Sequence, residues 1–163
     1  METGTVNGAG AQGAVGGLVG FNRATIDSSY ATGAVGGATG VGGLVGFDQG
    51  GGAITSSYAT GAVVASTGSA GGLAGSSSSP ITGSHATGNV NGVSIVGGLV
   101  GYNLAVITAS YATGTAQASV DMAGGLVGRQ SGASISNSLR SPSRVNTTHG
   151  PGSADTSRHW NSW

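Results

Sequence analysis

Residues 16–20 read Gly-Gly-Leu-Val-Gly, and residues 42–46, 97–101 and 124–128 repeat the same five letters. Residues 71–75 carry a near copy, Gly-Gly-Leu-Ala-Gly. The copies follow one another at intervals of 26 to 29 residues. Self-similarity at such a period is typical of proteins built from stacked structural repeats, so the sequence predicts five copies of one unit.

Three columns of apolar residues recur with this period. The leucine column is Leu18, Leu44, Leu73, Leu99 and Leu126. The isoleucine column is Ile26, Ile54, Ile81, Ile107 and Ile135. The third column is Val6, Val35, Val63, Val90 and Ala116. Neighbouring columns are 8 to 12 residues apart, which divides each repeat into three nearly equal sides of about nine residues, each long enough for a short strand and a turn.

This spacing predicts an all-β fold: a three-sided parallel β-solenoid of about five coils of 26–29 residues over residues 1–139. Coils stacked about 4.8 Å apart would turn each side into a parallel sheet and each column into a ladder of core residues. Helix is disfavoured, since glycine costs about 1 kcal/mol at each helical position and no segment has apolar residues spaced for a helix face.

Glycine has two predicted roles in the coil. Gly16 and Gly20 share the side of the strand that carries Leu18, so their small size leaves room in a narrow interior. The glycines that follow Ala-Thr look like corner residues with positive φ, a conformation that glycine adopts at little cost. These are Gly33, Gly61, Gly88 and Gly114.

Polar columns mark the candidate binding surface. We predict an exposed ladder of hydroxyl groups made of Ser29, Ser57, Ser84, Ser110, Thr32, Thr60, Thr87 and Thr113. Between the Ser and Thr columns lies a largely aromatic one: Tyr30, Tyr58, His85, Tyr111 and Leu139. The sequence leaves open whether this aromatic column faces inward or outward.

Composition and charge exclude several classes of protein. The 163 residues include 35 glycines and no cysteine, so disulfides and thiolate metal sites are excluded. Charged residues make up 6% of the chain and the formal net charge is zero, which leaves no basic stripe for nucleic acid. No apolar run is long enough to span a membrane. The first residues also lack the features of a signal peptide, so an exported protein would contain this chain as a mature or excised piece.

A search for catalytic, cofactor and metal sites predicts none, and the chain is expected not to be an enzyme. Residues 8–13 match the letters of a dinucleotide fingerprint, but no helix follows to hold a pyrophosphate. Residues 42–48 resemble a calcium-binding nonapeptide, yet Asp48 is the only acid in its column, and repeated calcium sites need repeated carboxylates. The acidic residues form no recurring pair of the kind a glycosidase uses.

Residues 140–163 depart from the repeat. This tail contains Pro142, Pro151, Trp160 and Trp163 and keeps none of the columns. The sequence predicts either a cap on the last coil or a disordered segment.

The repeat resembles the GLUG motif. Val-Gly-Gly-Leu-Val-Gly-Phe-Asn at 15–22 with the segment 26–35, and Val-Gly-Gly-Leu-Val-Gly-Tyr-Asn at 96–103 with the segment 107–116, carry the likeness. The motif is found in repeat tracts of large bacterial surface and secreted proteins, including filamentous-haemagglutinin-like adhesins. The resemblance implies an extracellular or cell-surface, right-handed β-helix that serves as a stalk or binding surface, and it carries over no catalytic residue.

Three functions remain open at this point. The first is a non-enzymatic structural or adhesive module whose partner is a surface glycan or host protein. The second is ice binding through the Ser and Thr ladders. The third is head-to-tail self-association of coil ends into a filament. No cofactor, nucleic-acid partner or membrane span is predicted.

Overall fold

A computed structural model describes residues 4–8 and 13–140 of the chain. This part contains 25 short β-strands of two to four residues and no helix. The first coil contains β1 (Val6–Asn7), β2 (Val15–Gly16), β3 (Val19–Asn22), β4 (Ile26–Asp27) and β5 (Tyr30–Ala31). The second contains β6 (Val35–Gly37), β7 (Val41–Gly42), β8 (Val45–Asp48), β9 (Ile54–Thr55) and β10 (Tyr58–Ala59). The third contains β11 (Val63–Ala65), β12 (Ser69–Gly71), β13 (Ala74–Ser77), β14 (Ile81–Thr82) and β15 (His85–Ala86). The fourth contains β16 (Val90–Gly92), β17 (Ile95–Gly97), β18 (Val100–Asn103), β19 (Ile107–Thr108) and β20 (Tyr111–Ala112). The fifth contains β21 (Ala116–Ala118), β22 (Met122–Gly124), β23 (Val127–Gln130), β24 (Ile135–Ser136) and β25 (Leu139–Arg140).

Each strand pairs in parallel with the strand at the same place in the next coil, so the strands form five sheets of five strands. We number the sheets 1 to 5 by the strand of the first coil that each contains, from β1 to β5. The described chain is therefore a parallel β-solenoid of five coils, as predicted. The prediction of three sides with one strand each is not met. Tight turns divide each coil into five short strands instead of three.

The register confirms two of the predicted apolar columns as ladders. Val35 of sheet 1 is the partner of Val6 on one side and of Val63 on the other. Ile54 of sheet 4 pairs in the same way with Ile26 and Ile81. Like residues therefore stack on like residues along the solenoid.

Burial follows position along the solenoid. Leu44, Leu73 and Leu99 of the leucine column are fully buried, and so is Ile54 of the isoleucine column. Leu18, however, is 50% exposed. The prediction that Leu18 belongs to the core is wrong, because the described part of the chain contains no earlier coil to cover it.

The interior is divided into two apolar clusters. One contains the leucine column from Leu44 onward and the isoleucine column, with the inward residues of sheets 3 and 5. The other contains the inward residues of sheets 1 and 2, among them Val41, Val63 and Val96. The leucines lie in the bend that joins sheet 2 to sheet 3, rather than within a strand.

Glycine explains why there are two clusters. A Cβ atom placed on Gly71 of sheet 2 would lie 2.0 Å from the carbonyl oxygen of Ala74 and 2.6 Å from the amide nitrogen of Gly101, both in sheet 3. Gly42 and Gly97 have equivalent contacts with the sheet 3 strands of their own and the following coil. The backbones of sheets 2 and 3 therefore touch directly, and only glycine fits between them.

The corner with positive φ lies elsewhere than predicted. The residue between sheets 4 and 5 has φ between 46° and 58° in every coil, and this residue is Ser28, Ser56, Gly83, Ala109 and Asn137. The glycines that follow Ala-Thr do not adopt positive φ. A Cβ on Gly61 would instead lie 1.9 Å from the carbonyl oxygen of Gly33 in the previous coil, so these glycines are needed for close stacking.

Two other expectations concern the chain as a whole. Within the described ranges, no helix is long and apolar enough to cross a membrane. The predicted tail 140–163 lies outside the described residues except for Arg140, which ends β25.

Candidate functional site

The serine column is not an exposed ladder. Ser57 and Ser84 are fully buried, Ser110 is 1% exposed and Ser29 is half-buried. The prediction that these serines are exposed is wrong, so they cannot form a binding surface. Each serine follows the positive-φ corner residue, and this corner turns its side chain into the solenoid.

The buried serines tie neighbouring coils together. The amide of Ser57 donates to Oγ of Ser84 at 3.1 Å, and the amide of Ser84 donates to Oγ of Ser110 at 3.2 Å. Each hydroxyl in turn donates to the carbonyl oxygen two residues earlier, as Ser84 does to Thr82 at 3.0 Å. The column is thus a continuous hydrogen-bonded ladder whose role is structural.

The threonine column is exposed. Thr60, Thr87 and Thr113 lie on the outside of the solenoid, and Thr32 in the first coil is half-buried. Their backbone amides continue the hydrogen bonding of sheet 5, since Thr60 donates to Ala31 at 3.1 Å and Thr87 to Ala59 at 3.0 Å. This half of the predicted hydroxyl ladder therefore forms a regular column on the surface of sheet 5.

The aromatic column faces outward on the same sheet. The rings of Tyr30, Tyr58, His85 and Tyr111 are stacked, with successive centroids 5.2, 5.0 and 4.7 Å apart and interplanar angles of 7°, 8° and 5°. The next residue of each strand is an alanine that points into the core, such as Ala59 and Ala86. The outward side chains are consequently not needed to fill the interior.

We call the outer surface of sheet 5 the aromatic face. It consists of the stacked column Tyr30, Tyr58, His85 and Tyr111 and the parallel column Thr32, Thr60, Thr87 and Thr113. Burial of the imidazole lowers the pKa of His85 from 6.5, which favours the neutral ring. None of these eight side chains carries a charge when His85 is neutral.

A second outward-facing polar column, of exposed and half-buried residues, lies around the corner on sheet 4, and the sequence prediction missed it. It is formed by Asp27, Thr55, Thr82, Thr108 and Ser136. The hydroxyl of Thr55 donates to the Asp27 carboxylate, and that of Ser28 does so at 2.9 Å. These bonds, chiefly the one from Thr55, hold the pKa of Asp27 below its ordinary value of 3.8. The sequence does indicate this column, because a polar residue directly follows every isoleucine of the core column.

Asp48 is buried and hydrogen-bonded between coils. It is 2% exposed and accepts from Nδ2 of Asn22 at 2.9 Å and from the hydroxyl of Ser77 at 3.2 Å. The column continues with Asn103, whose Nδ2 donates to Oε1 of Gln130 at 2.8 Å. These side chains join the coils at the end of sheet 3, in agreement with a role in holding turns.

A cavity of about 460 Å³ lies beside the first coil. Its lining includes Val6, Leu18, Tyr30 and Thr32, so it shares two residues with the aromatic face. No group of three or more His, Asp or Glu side chains comes together among the residues the structure describes.

The fold and the surface together define a class of protein: a β-solenoid built of repeats that presents ordered columns of side chains on its outside. The family profile of the GLUG motif matches two segments of the chain, residues 11–36 and 92–117. The chain therefore carries GLUG-motif repeats in these two segments. Neither the curated proteins nor the solved structures contain a match to the chain.

Proposed function

We propose that the chain is a non-enzymatic structural and adhesive module, displayed outside the cell as part of a bacterial surface or secreted protein. The GLUG repeats and the solenoid support a structural module. Adhesion is the finer part of the proposal, and one observation carries it: the aromatic face is regular, exposed and not used by the core.

Alanine occupies the inward position beside the aromatic column at Ala59, Ala86 and Ala112, and each is at most 1% exposed. Tyr30 and Tyr111, in contrast, are 46% and 38% exposed. Aromatic side chains gain binding energy from contact area at low cost in conformational entropy, and they are enriched at interfaces. A fixed column of them is therefore suited to contact with another surface.

Adhesion is tested with the purified, fluorescently labelled full chain on bacterial cells, host epithelial cells and extracellular-matrix coatings. The triple variant Tyr30→Ser, Tyr58→Ser and Tyr111→Ser should lose most of the binding. The variant Val64→Ser, at an exposed position of sheet 1, should keep it. Absence of binding to every surface would leave only a spacer role, and equal binding by both variants would remove the aromatic face from the proposal.

The extracellular location is tested separately. The reading frame that encodes this chain should contain an export signal and further repeats, and antibodies should label the outside of intact cells. Labelling only after permeabilisation would contradict the location.

Ice binding is a second candidate, favoured by the exposed threonines Thr60, Thr87 and Thr113. Regular hydroxyl groups on an uncharged sheet can order water. The neighbouring column on sheet 5 is aromatic rather than a second threonine column, which favours adhesion over ice. Thermal hysteresis and ice-crystal shaping measure this function, and their absence at millimolar protein would exclude it.

Filament formation through the coil ends is the third candidate. In the described part of the chain, β1–β5 end the five sheets on one side and β21–β25 end them on the other. Negative-stain microscopy over a concentration series would reveal filaments, and uniform monomers would exclude them.

A further inference from the structure

The aromatic column presents ring edges, rather than ring faces, to a ligand. Interplanar angles of 5° to 8° and centroid distances near 5 Å mean that the rings of Tyr58 and His85 are each covered on both faces by their neighbours. A planar ligand therefore has no inner ring face on which to stack. The outward edges of the four stacked rings instead form a continuous ridge along the solenoid, which we call the wall.

The threonine column runs parallel to this wall on the same outer surface. In sheet 5 each threonine lies two residues after an aromatic residue, as Thr60 does after Tyr58, so both side chains project from the same side of the sheet. Each coil adds one ring edge and one hydroxyl group. A hydroxyl group both donates and accepts hydrogen bonds, so the face offers the same polar contact at every step of about 5 Å.

The charge of this face limits the chemistry of its ligand. The described residues of the aromatic face include no arginine, and the nearest acid in the register is Asp27 around the corner in the first coil. A polyanionic ligand would find no cation to bind. The face suits a neutral, linear molecule with many hydroxyl groups.

We infer that the aromatic face binds an extended, neutral β-1,4-linked glycan, lying along the solenoid with one sugar for each coil. The rise of 4.7 to 5.2 Å between successive rings is close to the rise per sugar of such a chain. An α-1,4-linked glycan coils and does not keep this spacing. Peptides, for comparison, add to the edges of sheets through backbone hydrogen bonds, whereas this surface is a sheet face.

The cavity beside the first coil provides an end for the binding groove. Within the described chain, Tyr30 is the one member of the stack that has a ring neighbour only on the side of the later coils. It lines the cavity of about 460 Å³ together with Thr32 and Leu18, a volume in the range of small-ligand pockets. A terminal sugar can enter there and contact the Tyr30 ring while the glycan follows the wall.

This inference rests on the proposed adhesive function and names its ligand class. The test is calorimetric titration of the full chain with cello- and chito-oligosaccharides of two to six sugars, with maltohexaose as the α-linked control. Affinity should rise from the disaccharide to the tetrasaccharide and then level off, because the stack has four rings. Maltohexaose should bind at least tenfold more weakly.

Two variants locate the site. Tyr58→Ser should weaken hexasaccharide binding at least tenfold and Thr87→Val several-fold, while Asn91→Ala on the outside of sheet 1 should leave it unchanged. Circular dichroism confirms that each variant is folded. Failure of both β-linked hexasaccharides to bind at millimolar concentration, or binding that is insensitive to Tyr58, would overturn the inference.

The outcomes for the two proposals are distinguishable. Binding to cells or matrix proteins without binding to the hexasaccharides would overturn the glycan ligand and leave adhesion standing. Absence of both would remove the glycan ligand and the adhesive role and leave only the structural module.

Discussion

Replacing Ser84 by alanine tests the structural role of the buried serine ladder. Ser84 is fully buried, and its hydroxyl makes two hydrogen bonds: it accepts from the amide of Ser57 at 3.1 Å and donates to the carbonyl oxygen of Thr82 at 3.0 Å. The carbonyl of Thr82 also accepts from the amide of Ser56, so it keeps a partner in the variant. The amide of Ser57 loses its partner.

The magnitude follows from these contacts. Loss of one net hydrogen bond costs about 1 kcal/mol, and a buried donor left without a partner costs about 1–3 kcal/mol. We expect Ser84→Ala to lower the free energy of unfolding by about 2–3 kcal/mol. Ser29→Ala is the matched control, because within the described residues the half-buried Ser29 hydroxyl makes one hydrogen bond, which it donates to the carbonyl of Asp27 at 2.8 Å. Loss of this bond should cost about 1 kcal/mol.

Urea denaturation followed by circular dichroism measures both variants, with the slope of the transition compared to confirm that the same surface unfolds. A loss below about 0.5 kcal/mol for Ser84→Ala, or equal losses for the two variants, would refute the argument that the ladder joins the coils. Because Ser84 is inaccessible, adhesion of the folded variant should be unchanged. Selective loss of adhesion in a stable protein would restore the serine column as a binding surface.

Three further predictions concern other columns. Gly71→Ala should destabilise the protein by about 3 kcal/mol or more, because the added Cβ would lie 2.0 Å from a backbone oxygen. Gly36→Ala is the control: its Cβ would lie 3.9 Å from the nearest atom, so the denaturation midpoint should change little. The lowered pKa of His85 means that the unfolded chain binds more protons than the folded chain just below pH 6.5. The contribution of His85 to stability is therefore full above about pH 6.5 and decreases as pH falls through the lowered pKa of the folded state. His85→Tyr should make unfolding less dependent on pH in this window, and an unchanged profile would contradict this assignment. Thr55→Val should raise the pKa of Asp27 towards 3.8, which an NMR titration measures. Thr82→Val, one coil further along the column, should leave this pKa unchanged. Equal shifts in the two variants would show that the Thr55 hydroxyl is not the cause.

The repeat could be predicted from the sequence because like residues must stack in register. The Val35 and Ile54 columns are visible as letters, and the structure pairs them as expected. Five strands per coil could not be predicted, because two-residue strands leave no pattern of alternation. The bend at Leu44 could not be predicted either. It depends on contact between the backbones of sheets 2 and 3, and no side-chain pattern in the sequence indicates that contact.

Part of the candidate surface could be predicted and part could not. The sequence predicts that Thr60 and Thr87 are exposed, because they recur in a polar column. Ser57 and Ser84 recur just as regularly, yet the positive φ of the preceding residue turns them inward. Periodicity shows that a column exists, whereas the direction of its side chains depends on where the corner lies. Ser56 and Ala109 adopt positive φ there, although neither residue type favours that conformation.

The direct contact between sheets 2 and 3 has a consequence for how such repeats should be compared with one another. Residues 42–46 have a restricted choice of residue types because their three glycines face neighbouring backbone and the leucine among them is buried. In the second to fourth coils, the segment that makes these repeats recognisable is thus buried, and its role there is to close the coil. Two tracts with identical motifs can bind different molecules, and two that share a ligand should agree instead at the outward positions of sheet 5, represented here by Tyr58 and Thr60.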